Sequence, residues 1–298
     1  MRRRDWLAGT VATALAGAPS SRFIKGIVWA AFPKEASYIE CIAQAAAAGF
    51  QAIELRVIPG GELSPASTVD DARRIAEAAR RHHIDIASLW ALTPSSPSLV
   101  SPDEEVRRQA FGLARKAIEL APALGCESVL VTAGVLGRGS RMEVTYDTAW
   151  QRATSAYREL LPLADAAGVT LTPENVWSKF LVSSRDMRDF VDQFHSPRLK
   201  VHFDVGNVMQ YGFPEDWILA LNSRIHRVHL KDYKLAAGGQ QGRFVPLLEG
   251  DVQWKDVVAC LVKTGYRGYV TAEVGTGGDD PEYLLKISRA LDRILNMV

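Results

Sequence analysis

The chain has 298 residues, of which 47% are hydrophobic and 23% charged, with 35 basic and 34 acidic side chains. That is enough for one large core, and a net charge of +1 lacks the basic excess with which nucleic-acid binders meet phosphates. The three cysteines, Cys41, Cys126 and Cys260, are scattered and odd in number, which argues for buried free thiols rather than a disulfide framework.

The first twenty residues stand apart. Met1-Arg2-Arg3-Arg4-Asp5-Trp6-Leu7 leads into an Ala- and Gly-rich apolar run, followed by Pro19-Ser20-Ser21, and Ala14-Leu15-Ala16 forms an A-x-A cleavage signal. The run is too short to span a bilayer stably, so no lasting membrane insertion is expected. Arg3-Arg4-Asp5-Trp6-Leu7 is similar to the twin-arginine signal. Residues 1–20 are therefore read as a signal peptide and residues 21–298 as one domain. The expected location is the periplasm, or the cytoplasm if the segment is not a signal.

Short β-branched runs then alternate with amphipathic stretches. Strands are predicted at Phe23–Val28, Ala52–Leu55, Ile84–Leu89, Ser128–Thr132, Val169–Thr172, Lys200–Asp204, Arg227–Leu230 and Tyr269–Glu273. Helices are predicted at Glu35–Ala48, Thr68–His82, Asp103–Leu124, Tyr146–Ala167, Ser184–Phe194, Pro214–Leu221, Trp254–Lys263 and Pro281–Leu295. Gly49, Gly125, Gly168 and Gly265 each stand between a helix and the next strand, where a left-handed residue stops the helix. Eight strand–helix units without a linker imply a parallel sheet, and eight close a (β/α)8 barrel. A doubly wound open sheet would want a glycine-rich phosphate loop after its first strand, and none follows Val28 or Leu55.

Strand parity points to a site. Alternate side chains share a face. Thr170, Thr172 and Glu174 share one in the fifth strand, His202 and Asp204 in the sixth, Arg227 and His229 in the seventh, and Thr271 and Glu273 in the eighth. The opposite parity is apolar. The C-terminal strand ends carry the active site in such barrels. Glu174, Asp204, His229 and Glu273 converging there would repel one another without a cation. One divalent ion, Mn²⁺, Mg²⁺ or Co²⁺ ahead of Zn²⁺, suits a hard oxygen set with one nitrogen.

The strings Leu171-Thr172-Pro173-Glu174-Asn175, Val201-His202-Phe203-Asp204-Val205-Gly206-Asn207, Val228-His229-Leu230-Lys231-Asp232 and Thr271-Ala272-Glu273 resemble the xylose isomerase-like TIM-barrel superfamily. The segment from Pro246 to Trp254 resembles the loop after that family's seventh strand. The resemblance implies sugar isomerases and epimerases, inosose dehydratases or endonuclease IV. It also implies that Glu174 and Glu273, besides binding metal, move a proton. One departure stands out: where epimerases and the nuclease commonly carry a His three residues after the metal Asp, this chain has Asn207. That loss argues against a multi-zinc cluster. Asn207 can hydrogen-bond a substrate hydroxyl but cannot carry a proton.

Lys231 shares the parity of His229 and is expected in the mouth, against substrate or an enolate oxygen. His202, one layer below Asp204, is expected to hydrogen-bond a ligand. Arg227 and Glu54 are expected to share a polar network beneath the metal. Trp29, Trp90 and Trp177 are read as core residues or sugar-stacking faces, and Arg56 as a surface arginine or a partner for a substrate anion. The leading expectation is a metal-dependent isomerase or epimerase working through an enediolate on a free ketose or keto-polyol, since export argues against phosphorylated substrates. A dehydratase or lyase acting on an inosose or keto-glycoside is the alternative. A nuclease or a non-catalytic sugar-binding protein ranks lower. A homo-oligomer stays open.

Overall fold

The computed structural model describes residues 22–238, 242–278 and 280–298, so the segment read as a signal peptide lies outside the described residues. Eight parallel strands form one sheet: β1 (Phe23–Val28), β2 (Ala52–Arg56), β3 (Asp85–Leu92), β4 (Ser128–Val131), β5 (Thr170–Thr172), β6 (Val201–Asp204), β7 (Ile225–Leu230) and β8 (Gly268–Ala272). Neighbours follow chain order, and β8 returns to β1 from Phe23↔Gly268 through Ile27↔Ala272. The seam between β5 and β6 is thinner. It is held by the bridges Leu171↔Leu199 and Glu174↔His202, with the Lys200 amide donating to the Leu171 carbonyl at 3.0 Å and the His202 amide to the Pro173 carbonyl at 2.9 Å. Pro173 has no N–H to give a ladder, so β5 stops before it and the chain lifts Glu174 into the mouth.

The helices are α1 (Tyr38–Ala47), α2 (Val69–Arg81), α3 (Glu104–Leu124), α4 (Tyr146–Ala166), α5 (Ser184–Asp192), α6 (Pro214–Leu221), α7 (Trp254–Lys263) and α8 (Tyr283–Leu295). Capping boxes open the first two, Ser37 with Glu40 and Thr68 with Asp71, so α1 starts three residues later than its apolar period suggests. The four helix-ending glycines all take positive φ. Two hairpins, Gly137–Arg138 with Arg141–Met142 and Asp232–Leu235 with Gly242–Val245, escaped the sequence reading because strands this short show no usable period. β3 runs on through Trp90 to Leu92.

Parity sorts the barrel as expected. Leu171, Val201, Phe203, Val228, Val270 and Ala272 are fully buried against the helical layer, while Thr172, His202, Asp204, Arg227, His229 and Thr271 are buried inside the barrel. The three cysteines are free thiols, two of them buried.

Candidate metal centre

Glu174, Asp204, His229 and Glu273 each offer one donor atom, and the four atoms lie within 4.8 Å of one another. His229 Nδ1 stands between two carboxylates, 3.0 Å from Glu174 Oε1 and 3.1 Å from Glu273 Oε2. Its other nitrogen, Nε2, faces Glu54 Oε2 at 3.2 Å, and Trp90 Nε1 donates to that same oxygen at 2.6 Å. A carboxylate behind the imidazole accepts from Nε2 and points Nδ1 into the cluster, the arrangement that metal-binding histidines use.

The local chain explains these positions. Asp204 ends β6 and caps the helical turn Val205–Val208, accepting from the Asn207 amide at 2.5 Å. Gly206 is needed in that turn, because a Cβ there would sit 2.4 Å from the Lys231 carbonyl oxygen. The close approach brings the end of β6 against the end of β7 and sets Asp204 beside Lys231. Asn175 locks the same corner: its Nδ2 donates to the Asp204 carbonyl and its Oδ1 accepts from the Asp204 amide, both at 2.8 Å.

Charge inside the cluster is unevenly held. Burial raises the Glu174 carboxyl, and Glu273 raises it further. Burial pushes Asp204 up to about 8, with Glu273 adding to the shift and Lys231 opposing it. Burial acts on Glu273 in the same direction, but the Lys231 ammonium and the His229 ring outweigh it and hold that carboxyl below the usual range. For His229, burial opposes a charge, while Glu54 and then Glu174 and Glu273 push its pKa well up. Lys231 Nζ lies 2.9 Å from Glu273 Oε2 and 3.6 Å from Asp204 Oδ2. Asp204 Oδ2 is nevertheless buried without a hydrogen-bond partner. Three carboxylates, an orphaned oxygen among them and an imidazole fixed from behind form a donor set that fits a divalent cation.

Three expectations need correction. His202 makes no hydrogen bond to a ligand: both ring nitrogens are buried without partners, and its ring packs on His229 with centroids 3.9 Å apart. Burial and the nearby His229 charge push its pKa well down, so it packs as a neutral ring. Arg227 does point into the barrel, but its anion is Glu127 at 3.2 Å and it also donates to the Ala87 carbonyl at 2.7 Å. Glu54 instead serves His229 and Trp90 one layer higher, so the two do not share a network. Asn207 is less free than expected: one of its two Nδ2 hydrogens goes to the Asn175 carbonyl at 3.0 Å and its Oδ1 lies 3.5 Å from Lys231, so it braces the corner and keeps one N–H for a substrate hydroxyl.

A cavity of about 660 Å³ opens over Glu273 and Lys231, walled by Trp29, Trp90 and Phe244. Trp90 is buried and Trp29 half-buried, while Trp177 is largely exposed and stacks on Phe244 at 4.9 Å. Sequence reasoning placed Glu54 inside the barrel but missed its role behind His229, because the Trp90 and His229 contacts join three strands. It also passed over Asp232. This buried carboxylate accepts from the amides of Leu248 and Gly250 and from Trp254 Nε1, at 2.8, 3.1 and 3.0 Å, and so folds the loop after β7 over the site.

Comparison with known proteins agrees with this architecture. A family model described as xylose isomerase-like TIM barrel matches residues 42–294. A putative L-ribulose-5-phosphate 3-epimerase of Haemophilus influenzae is 26% identical over 275 residues, covering 89% of this chain and 93% of that protein. An inosose dehydratase of Clostridium perfringens is 23% identical over 291 residues, covering 89% and 92%. The solved D-psicose 3-epimerase of Clostridium cellulolyticum, with D-tagatose, shares the fold at a TM-score of 0.74 and 20% identity, covering 92% of this chain and 99% of that one.

Proposed function

We propose that this chain, which belongs to the xylose isomerase-like TIM barrel family, is a divalent-metal-dependent isomerase or epimerase that moves a proton at the carbon beside the carbonyl of a ketose or keto-polyol. The observation that carries this reading is the placement of Glu174 and Glu273 on either side of one His229 nitrogen, at 3.0 and 3.1 Å. Two carboxylates arriving from separate strands can flank a substrate carbon, one taking a proton and the other returning one. Burial and the neighbouring Glu273 raise the Glu174 carboxyl, which makes it a better proton acceptor, whereas Lys231 and His229 hold Glu273 below the usual carboxylate range. The Lys231 ammonium is within the cavity and can stabilise an enolate oxygen. A divalent ion held by the four residues, Mn²⁺, Mg²⁺ or Co²⁺ ahead of Zn²⁺, supplies Lewis acidity at the carbonyl. The similarity to a putative L-ribulose-5-phosphate 3-epimerase supports the reaction type.

The test is incubation of a ketose panel with the protein in deuterated water, with each of the four metals. Deuterium entering beside the carbonyl is expected. Its absence from every sugar and metal combination would overturn the proposal. Glu174→Gln should lower the exchange rate by on the order of 10³-fold, in the range of general base removal. Metal content, measured in parallel, separates a lost base from a lost ligand.

A second reading is elimination of water from a keto-polyol. It is favoured by the Lys231 ammonium, 2.9 Å from Glu273, which can protonate a departing hydroxyl, and by the similarity to an inosose dehydratase. Loss of water from the product, read by mass, distinguishes it from epimerisation. For residues 1–20 we propose export by the twin-arginine route, supported by Arg3-Arg4 and the short apolar run. Periplasmic recovery that is abolished by replacing both arginines with lysine is the expected result.

A further inference from the structure

The cavity over the metal-ligand cluster contains a positive charge that the proton transfer does not use. Lys231 there is balanced by Glu273 and Asp204. Arg56, on the same cavity, is not balanced: among the described residues it enters no ion pair, and its Nε is buried with no acceptor. Its Nη2 meets only two hydroxyls, Thr93 Oγ1 and Ser96 Oγ, each at 3.2 Å. Burial pushes the pKa of this guanidinium down, and no carboxylate pushes it back. A half-buried arginine facing neutral oxygens is costly in a folded protein unless an anion visits it.

The path from the cluster to Arg56 is aromatic. Trp90 lies 5.1 Å from the His229 ring, Trp29 lies 4.7 Å from Trp90, and the Arg56 guanidinium lies 5.8 Å from Trp29. A sugar laid along these rings puts its C–H faces on the indoles, with one end at the cluster and the other at Arg56. The guanidinium fork matches two oxygens of one anionic group. Thr93 and Ser96 accept from Nη2 and lie 3.2 Å from each other, a contact that uses one of their two O–H groups and leaves at most one to donate.

We propose that Arg56, with Thr93 beside it on the cavity wall, binds an anionic group, carboxylate or phosphate, at the end of the substrate remote from the reacting carbonyl, so that the substrate class is an acidic ketose. This rests on the reading of the cluster as a sugar site. D-Fructose, D-fructuronate and D-fructose 6-phosphate differ only at carbon 6, and equilibrium titration of the metal-loaded chain with each isolates the anionic group. At least one acidic ketose should bind about tenfold or more tightly than D-fructose, a difference within reach of one charge-assisted contact. Arg56→Met should erase that preference and Arg56→Lys should restore part of it. The acidic sugar that gains identifies carboxylate or phosphate as the recognised group. Equal binding of all three by the unaltered chain, or a preference that survives Arg56→Met, overturns the proposal. The unaltered comparison stands even if the Met variant does not fold. An anion preference with no deuterium exchange in any sugar and metal combination of the full ketose panel keeps the subsite and sinks the proton-transfer reading. Exchange with equal affinities does the reverse.

Discussion

Glu54 has no exposed surface, yet it faces the ring that presents Nδ1 to the other three ligands. Its carboxyl is held down at about 2: burial would raise it, but the charge on His229 outweighs burial. Glu54→Gln keeps the shape and removes the charge that makes the imidazole a better donor. Metal affinity is expected to fall about 10- to 100-fold, the usual effect of losing such a partner. Competition with a chelator measures it, and an unchanged affinity would show that His229 needs no orienting carboxylate. Asp204 gives a pH dependence of definite sign. With its pKa raised to about 8, the metal-free carboxyl holds a proton at neutral pH that an incoming cation must displace. Affinity should therefore weaken as pH falls below about 8, by up to tenfold per unit for each proton released. Calorimetry in buffers of different ionisation enthalpy should show proton release at pH 7, with the Asp204 share declining above pH 8 while the His229 proton is still displaced.

Among the elements, the segment from Asp232 to Trp254 shows how one buried carboxylate shapes a loop. Gly250 is required there, since a Cβ would sit 1.9 Å from Asp232 Oδ1. The hairpin it anchors carries Phe244, which packs on Trp177 and lies 4.8 Å from the Lys231 ammonium. Asp232→Ala strands four donors, the amides of Tyr233, Leu248 and Gly250 and the Trp254 indole, and is expected to cost about 2–4 kcal/mol, at roughly 1.5–3 kcal/mol per charged hydrogen bond with substantial rescue by water. Thermal unfolding should begin several degrees lower, and limited proteolysis should cut first within the hairpin. A melting curve identical to that of the unaltered chain would show that the loop is held by its aromatic contacts instead. The barrel strands were legible because their apolar faces repeat every second residue. This loop was not, because its order comes from contacts 16 to 22 residues apart.

For the whole molecule, the weakest ring contact is the β5–β6 seam, and two members of the candidate metal centre, Glu174 and Asp204, stand at its upper end. A cation shared by them, by His229 on β7 and by Glu273 just past β8 would tie the barrel closed where backbone pairing is sparse. At a metal concentration about 100-fold above Kd, linkage gives about 2.7 kcal/mol, and the melting temperature should rise by roughly 5–10 °C. Hydrogen exchange at residues 170–174 and 200–204 should slow on metal addition. Slowing spread evenly over all eight strands would argue against a role in closure.

The sequence alone determined the eight barrel strands and the helices that alternate with them, the polar interior of the last four strands and the nomination of Glu174, Asp204, His229 and Glu273 as one candidate cluster. Each of these follows from local rules of period, helix capping and strand-end placement that act over a few residues. Only the tertiary structure decided which atoms those residues offer to one another. It turned His229 with Glu54, paired Arg227 with Glu127, engaged the Asn207 amide with Asn175 and left Arg56 facing hydroxyls across a cavity. Those choices depend on how neighbouring strands are staggered around the ring, and on the cost of burying a charge without a partner, which no single stretch of chain can resolve.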